Sequence, residues 1–206
     1  MNLSDSLDAG LAGLRLDLSE QQKTTLLSYL SLLGKWNKTY NLTAIHDPER
    51  MLTHHILDSL AIAPYVADGA LLDVGSGGGF PGIPLAIARP ELAVTVMDAS
   101  QKKCGFMRQV AIELRLVNVS VLHARVESYQ APQKFTQIVS RAFSDLSEFV
   151  RLSAHLLAPG GNWLAMKGVH PHEEIARLKA ARVVRDLPLH VPGLDAERSL
   201  IIMELA

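Results

Sequence analysis

Leu71-Leu72-Asp73-Val74-Gly75-Ser76-Gly77-Gly78-Gly79-Phe80-Pro81-Gly82 reads as a buried strand that runs into a bare backbone loop. Five glycines fall within positions 75–82. Glycine adopts positive φ without strain and lets a ligand lie against the main chain, so the run predicts a small-molecule cradle at the end of a strand. A flexible linker would be polar and serine-rich, whereas this loop leads at once into Ile83-Pro84-Leu85-Ala86-Ile87.

Downstream of the loop, apolar stretches at 94–98, 119–124, 137–141 and 163–167 join the strand at 71–74, and they alternate with amphipathic stretches at 102–116 and 146–157. Alternation of this kind predicts parallel strands joined by right-handed crossovers. The last two stretches, 183–191 and 199–205, are separated by Pro192-Gly193-Leu194-Asp195 without a helix, which predicts an antiparallel hairpin. The fold class is therefore α/β, a doubly wound, seven-stranded, mostly parallel sheet ending in an antiparallel C-terminal hairpin. Upstream the pattern is helical. Ser19 and Gln22 form a capping-box start, Leu26, Leu30 and Leu33 make one apolar stripe, and this helix is expected to reach about Trp36. Asp47-Pro48 starts another helix, which Pro64 closes. Residues 1–65 are thus expected to be a helical appendage and 66–206 the α/β core.

With 20 basic and 21 acidic side chains, the formal net charge of −1 provides no global attraction for polyanions, so any nucleic-acid partner must meet a local patch. Lys35, Lys38, Arg50, Lys102, Lys103 and Arg108 are candidates for it. Trp36 and Tyr40 could stack on unpaired bases, although a core position suits Trp36 better. A lone Cys104 excludes an internal disulfide framework and a four-cysteine metal site, and reads as packing. His55 and Asp58 share a helix face; a local hydrogen bond that orients the appendage is the better reading, and with no third ligand at suitable spacing no metal is expected. Met1-Asn2-Leu3-Ser4-Asp5 lacks a basic start followed by an apolar run, and no transmembrane stretch occurs, so a soluble, cytoplasmic chain is expected; no coiled-coil repeat or large apolar excess argues against a monomer.

Two ligands compete for the glycine loop. Gly77, Gly79 and Gly82 satisfy the dinucleotide spacing, but Asp73 and Gly75 precede them, giving D-x-G-x-G-x-G. S-adenosylmethionine carries a cationic amino-acid end and a sulfonium but no phosphates, so a carboxylate at the strand mouth helps where it would repel a pyrophosphate. Asp98 ends the next strand and is placed to accept from both ribose hydroxyls in either reading. The terminal hairpin favours the methyl donor, since dinucleotide domains finish all-parallel. The rivals are a nicotinamide-dependent oxidoreductase and a non-catalytic RNA-binding protein that retains a cofactor pocket.

Across nearly its whole length the chain resembles the bacterial 16S ribosomal RNA guanine-N7 methyltransferases, also called glucose-inhibited division protein B. The resemblance rests on Trp36-Asn37-Lys38-Thr39-Tyr40-Asn41-Leu42-Thr43, His55-Ile56-Leu57-Asp58-Ser59-Leu60, the glycine loop with Phe80-Pro81-Gly82-Ile83-Pro84, Arg125-Val126-Glu127, Ser140-Arg141-Ala142 and Met166-Lys167-Gly168. It implies S-adenosylmethionine as cofactor, contacts to it at Gly75, Phe80, Val126, Glu127 and Arg141, and methylation of one guanine N7 in the small ribosomal subunit. N7 holds a free lone pair at neutral pH, so positioning rather than a general base is expected to dominate. Arg141 is the candidate to meet cofactor and base, while Lys167 either reaches a phosphate or O6 or is simply solvated. Glu127 could accept from the adenine amino group, or Val126 could offer its amide; Phe80 packs on the cofactor or shields the loop. Three positions depart from the family pattern: His54 for a frequent Lys or Arg, Ala99 for serine, and Ser199 for a frequent histidine.

Overall fold

The computed structural model describes residues 2–141, 143 and 145–206; Met1 and Ser144, and with them Ala142 of the Ser140-Arg141-Ala142 motif, lie outside the described residues. Seven strands form one sheet: β1 Ala70–Val74, β2 Ala93–Asp98, β3 Val119–His123, β4 Phe135–Ser140, β5 Leu157–Lys167, β6 Ala181–Leu189 and β7 Arg198–Leu205. Their order is β3-β2-β1-β4-β5-β7-β6. The first five pair in parallel, and β7 runs antiparallel to both β5 and β6. The order reverses between β1 and β4, so the crevice where ligands bind in such sheets opens beyond the C-terminal end of β1.

Successive strand residues feed two separate cores, as the period of two requires. Leu71, Val96, Leu164 and Ile202 face one layer, and Leu72, Met97, Trp163 and Met203 face the other. In chain order the helices are α1 Leu3–Leu14, α2 Glu20–Tyr40, α3 Pro48–Met51, α4 Asp58–Leu60, α5 Gly82–Ala88, α6 Gln101–Glu113, α7 Leu146–Ser153 and α8 His172–Arg177. The first core takes in α1 to α6, whereas α7 packs into the second. The appendage therefore has no core of its own: Leu26, Tyr29 and Leu33 of α2 sit in one cluster with Phe80, Ile83 and Leu71.

Four elements differ from the sequence reading. The α2 helix runs one turn past Trp36, because no breaker intervenes before Asn41, which caps it at φ 50°. The 48–64 helix is not regular: a π segment, Leu52–Leu57, separates α3 from α4, and Pro64 lies in a 3-10 turn at Ala63–Tyr65. One residue added to a turn leaves the apolar spacing almost unchanged, so period counting misses it. β5 begins at Leu157 and carries Pro159-Gly160-Gly161 within it, opposite a register shift in β4; Gly160 sits at φ 74°. This is a bulge rather than a turn. Finally, α8 lies between β5 and β6, where no helix was expected.

Candidate active site

β1 delivers its last residues to the sheet's C-terminal edge and the chain then turns back on itself. The amides of Gly75 and Ser76 both donate to the Met97 carbonyl, at 2.9 and 3.0 Å, and those of Gly79 and Phe80 to the Ser76 carbonyl, each at 2.8 Å. Gly75 and Gly77 adopt φ of 72° and 62°, a region that L side chains enter only with strain. Beyond a backbone oxygen 4.0 Å away, a Cβ on Gly77 would meet nothing within contact distance among the described residues. The loop thus presents open space on bare main chain.

Two carboxylates brace the loop. Asp98 accepts from the Gly77 amide through Oδ2 at 2.9 Å and from the Ser100 amide through Oδ1 at 2.8 Å, with Lys103 Nζ 3.7 Å away. Asp73 is fully buried. Its Oδ2 accepts from the Gly82 amide at 2.8 Å, while Oδ1 has no partner among the described residues. Burial, outweighing the Gly82 hydrogen bond, pushes this carboxyl up to about 7. A buried anion with an unfilled lone-pair site is a receptor for a cationic or donor group.

The appendage props the loop from behind. Tyr29 of α2, without solvent exposure, donates its hydroxyl to the Gly78 carbonyl, and burial holds its pKa well above the usual phenol value. Phe80 is buried in the first core, stacked on His55 at 4.6 Å and beside Tyr29 at 5.5 Å. Trp36 is partly buried against Phe106, 5.5 Å between centroids, so it is a core-edge residue.

Arg141, just beyond β4, reaches across to the appendage. Its Nη1 donates to Asp58 Oδ2 at 2.9 Å and to the His54 carbonyl at 3.0 Å, and its guanidinium carbon lies 5.2 Å from the Phe80 ring centroid. Asp58, 1% exposed, receives Arg198 Nε on its other oxygen at 2.8 Å. Among the described residues His55 and Asp58 share no hydrogen bond, contrary to the sequence reading; His55 Nε2 lies 2.8 Å from Thr43 Oγ1 instead. The π turn alters the angular spacing of the two residues on the helix. Burial, then the Arg141 charge, lowers His55 to about 4, so its ring is neutral at pH 7.

Lys167, at the end of β5, is neither solvated nor open-ended. Its Nζ donates to Glu174 Oε2 at 2.7 Å and to the Phe143 carbonyl at 3.2 Å. Val126 is buried and Glu127 half-exposed just past β3. Of the six patch candidates, all but Lys103 are exposed, spread over the neighbouring helices α2, α3 and α6. Arg198 and the bridging role of Asp58 were missed from sequence. Their only signal is a buried carboxylate needing partners, and those partners lie 83 and 140 residues away.

Several of these residues line a row of neighbouring cavities that share lining residues. One, of about 360 Å³, holds Gly75, Asp98, Ala99, Val126 and Glu127. Gly75 also lines the next, with Gly77, Phe80, His55 and Arg141. Arg141 in turn lines a third, of about 340 Å³, with Asp58, Lys167 and Arg198. The row follows the sheet's C-terminal edge from β2 to β7.

A seven-stranded sheet with one reversed strand, β7, and a glycine cradle at its switch point defines the class I S-adenosylmethionine-dependent methyltransferase fold. Solved structures of that fold resemble this one. The glycopeptide N-methyltransferase MtfA, complexed with S-adenosyl-L-homocysteine, matches with a TM-score of 0.64 at 12% identity, over 74% of this chain and 87% of that one. A S-adenosylmethionine-dependent methyltransferase from Geobacter sulfurreducens, in complex with the same product, matches with a TM-score of 0.54 at 17% identity, over 85% and 98%. Within that class, the chain belongs to the rRNA small subunit methyltransferase G family, whose model matches residues 22–201. It is 55% identical to the ribosomal RNA small subunit methyltransferase G of Laribacter hongkongensis over the full length of both, and 58% identical to that of Chromobacterium violaceum over 97% of this chain and 96% of the other.

Proposed function

We propose that this chain transfers a methyl group from S-adenosylmethionine to N7 of a guanine in small-subunit ribosomal RNA. One observation carries the reading: the cavity at the glycine cradle and an arginine-lined cavity lie along the same sheet edge, linked by the shared lining residues Gly75 and Arg141. The residues present fit the cofactor. The unpartnered Asp73 oxygen suits its cationic amino-acid end, Asp98 and the Val126–Glu127 turn suit ribose and adenine, and pyrophosphate would meet two carboxylates. When bound, S-adenosylmethionine supplies a methyl group activated by a sulfonium.

The remaining work falls to the chain. Guanine N7 carries no proton at neutral pH, so no side chain has to remove one; His55, neutral and placed against Thr43, is consistent with that. Arg141 and Arg198 share one carboxylate, and two cations against one anion leave a net charge of +1 in the cavity. This is the local attraction that a chain of net charge −1 requires. The pair is also placed to orient the base through O6, and positioning is the main source of acceleration open to such a site. Lys167, neutralised by Glu174, contributes shape and a donor rather than free charge. The reading puts the chain in the cytoplasm, with the ribosome, as a monomer.

Small ribosomal subunits lacking the modification, incubated with the protein and labelled methyl donor, should acquire label at one guanine N7. Label on protein or on a small molecule would refute the assignment, as would tighter binding of NAD than of S-adenosylmethionine in calorimetry.

A further inference from the structure

We propose that the cavity between β5 and the β6–β7 hairpin is a second RNA subsite, which takes a nucleotide flanking the target guanine. The inference rests on the RNA reading above. This cavity, of about 550 Å³, shares Gly168 and Arg198 with the arginine cavity and so continues the row by one more step. A strand whose guanine sits beside Arg141 would bring its neighbour here.

The chemistry of the lining matches a base edge. His170 Nε2 lies within hydrogen-bond distance of Asp186 Oδ2, and in the neutral ring that donates there Nδ1 is the acceptor. That Nδ1 is buried without a partner among the described residues, and so is the hydroxyl of Ser199, itself 4% exposed. Two buried, unsatisfied polar atoms in one cavity call for a ligand that donates to one and pairs with the other. An exocyclic amino group and a ring nitrogen or carbonyl would do both. The His170 and His172 rings, 3.9 Å apart and tilted by 46°, add aromatic surface, and Pro188 an apolar wall. Arg198 Nη2 has no partner among the described residues and is available to the connecting phosphate. Asp186, bonded to His170, and the exposed Glu197 also line the cavity, so that side of it suits a base edge that donates rather than a phosphate. A metal ion is a poorer occupant: among the described residues no three His, Cys, Asp or Glu side chains converge.

His172→Ala and Ser199→Ala test the subsite. His172 is exposed, and removing an unpaired buried hydroxyl should hold or raise the melting temperature, so a defect will not be misfolding. Each variant should raise the KM for unmodified small subunits about fivefold, with a smaller fall in kcat and wild-type affinity for S-adenosylmethionine. His172→Ala should leave the salt dependence of RNA binding unchanged, because stacking releases no counterions. An unchanged KM in both variants, with an active wild type, overturns the subsite alone, and equal losses of cofactor affinity overturn it in favour of a structural role. A wild type that transfers no methyl group to the subunit overturns the RNA reading and this inference with it.

Discussion

At Asp73 a carboxylate has been taken out of water with one oxygen bonded to the Gly82 amide and the other unpartnered. Its pKa rises from 3.8 to about 7, so the folded chain holds this proton more tightly than the unfolded one does. The stability this contributes is present below pH 3.8 and lost as pH rises through 7. Asp73→Asn should therefore stabilise the ligand-free protein above pH 7, by about 1 kcal/mol or more, read as a higher melting temperature. A cation beside the carboxylate favours its charged form, so binding of S-adenosylmethionine should release a proton and weaken as pH falls below 7. Calorimetry from about pH 8 to about pH 6 reads both effects, and a flat affinity would place the cationic end elsewhere. At Gly75 the constraint is backbone: Gly75→Val, at φ 72°, should abolish cofactor binding, and retained tight binding would count against the cradle. Arg141→Ala should lower methyl transfer more than RNA affinity, since phosphate contacts elsewhere supply most attraction; equal losses would demote it to a phosphate contact.

The π segment is where an element's geometry creates the site. Within it the Asp58 amide bonds back to Thr53, five residues away, which leaves the His54 carbonyl to Arg141. One irregular turn thus presents a carbonyl and a carboxylate to the same guanidinium. Asp58→Ala strands two half-buried arginines and should cost about 2–3 kcal/mol in urea denaturation, less than for a fully buried pair because both arginines retain some water. Asp58→Asn, which keeps the shape, should lose methyl transfer with a smaller loss of stability. The α5 helix is similarly fixed. A Cβ on Gly82 would fall 2.6 Å from Val96 Cγ1 and 2.9 Å from Asp73 Oδ2, so Gly82→Ala should cost about 1–3 kcal/mol by the same assay. The strands and the glycine loop were legible because alternation and glycine spacing are local. The π turn, the β5 bulge and α8 were not, because each departs from regular spacing by a residue or a few.

The whole molecule makes one unit of its two halves. Residues of α1, α2 and the π segment share a hydrophobic cluster with β1, α5 and α6, and Tyr29 holds the glycine loop from the appendage side. The full chain should therefore melt in a single calorimetric transition, and a fragment of residues 66–206 should fail to show one, because Phe80, Ile83 and Leu71 would face water. Two independent transitions would refute this. What the sequence by itself determined was the fold class and the cofactor cradle, since strand period, crossover pattern and the φ demanded of a glycine are written within a few neighbouring residues. Only the tertiary structure decided which charges meet: Asp58 with Arg141 and Arg198, Lys167 with Glu174, and the row of cavities that joins cradle to hairpin. Those meetings depend on the strand order, which brings together side chains as much as 140 residues apart, and no local spacing records that distance.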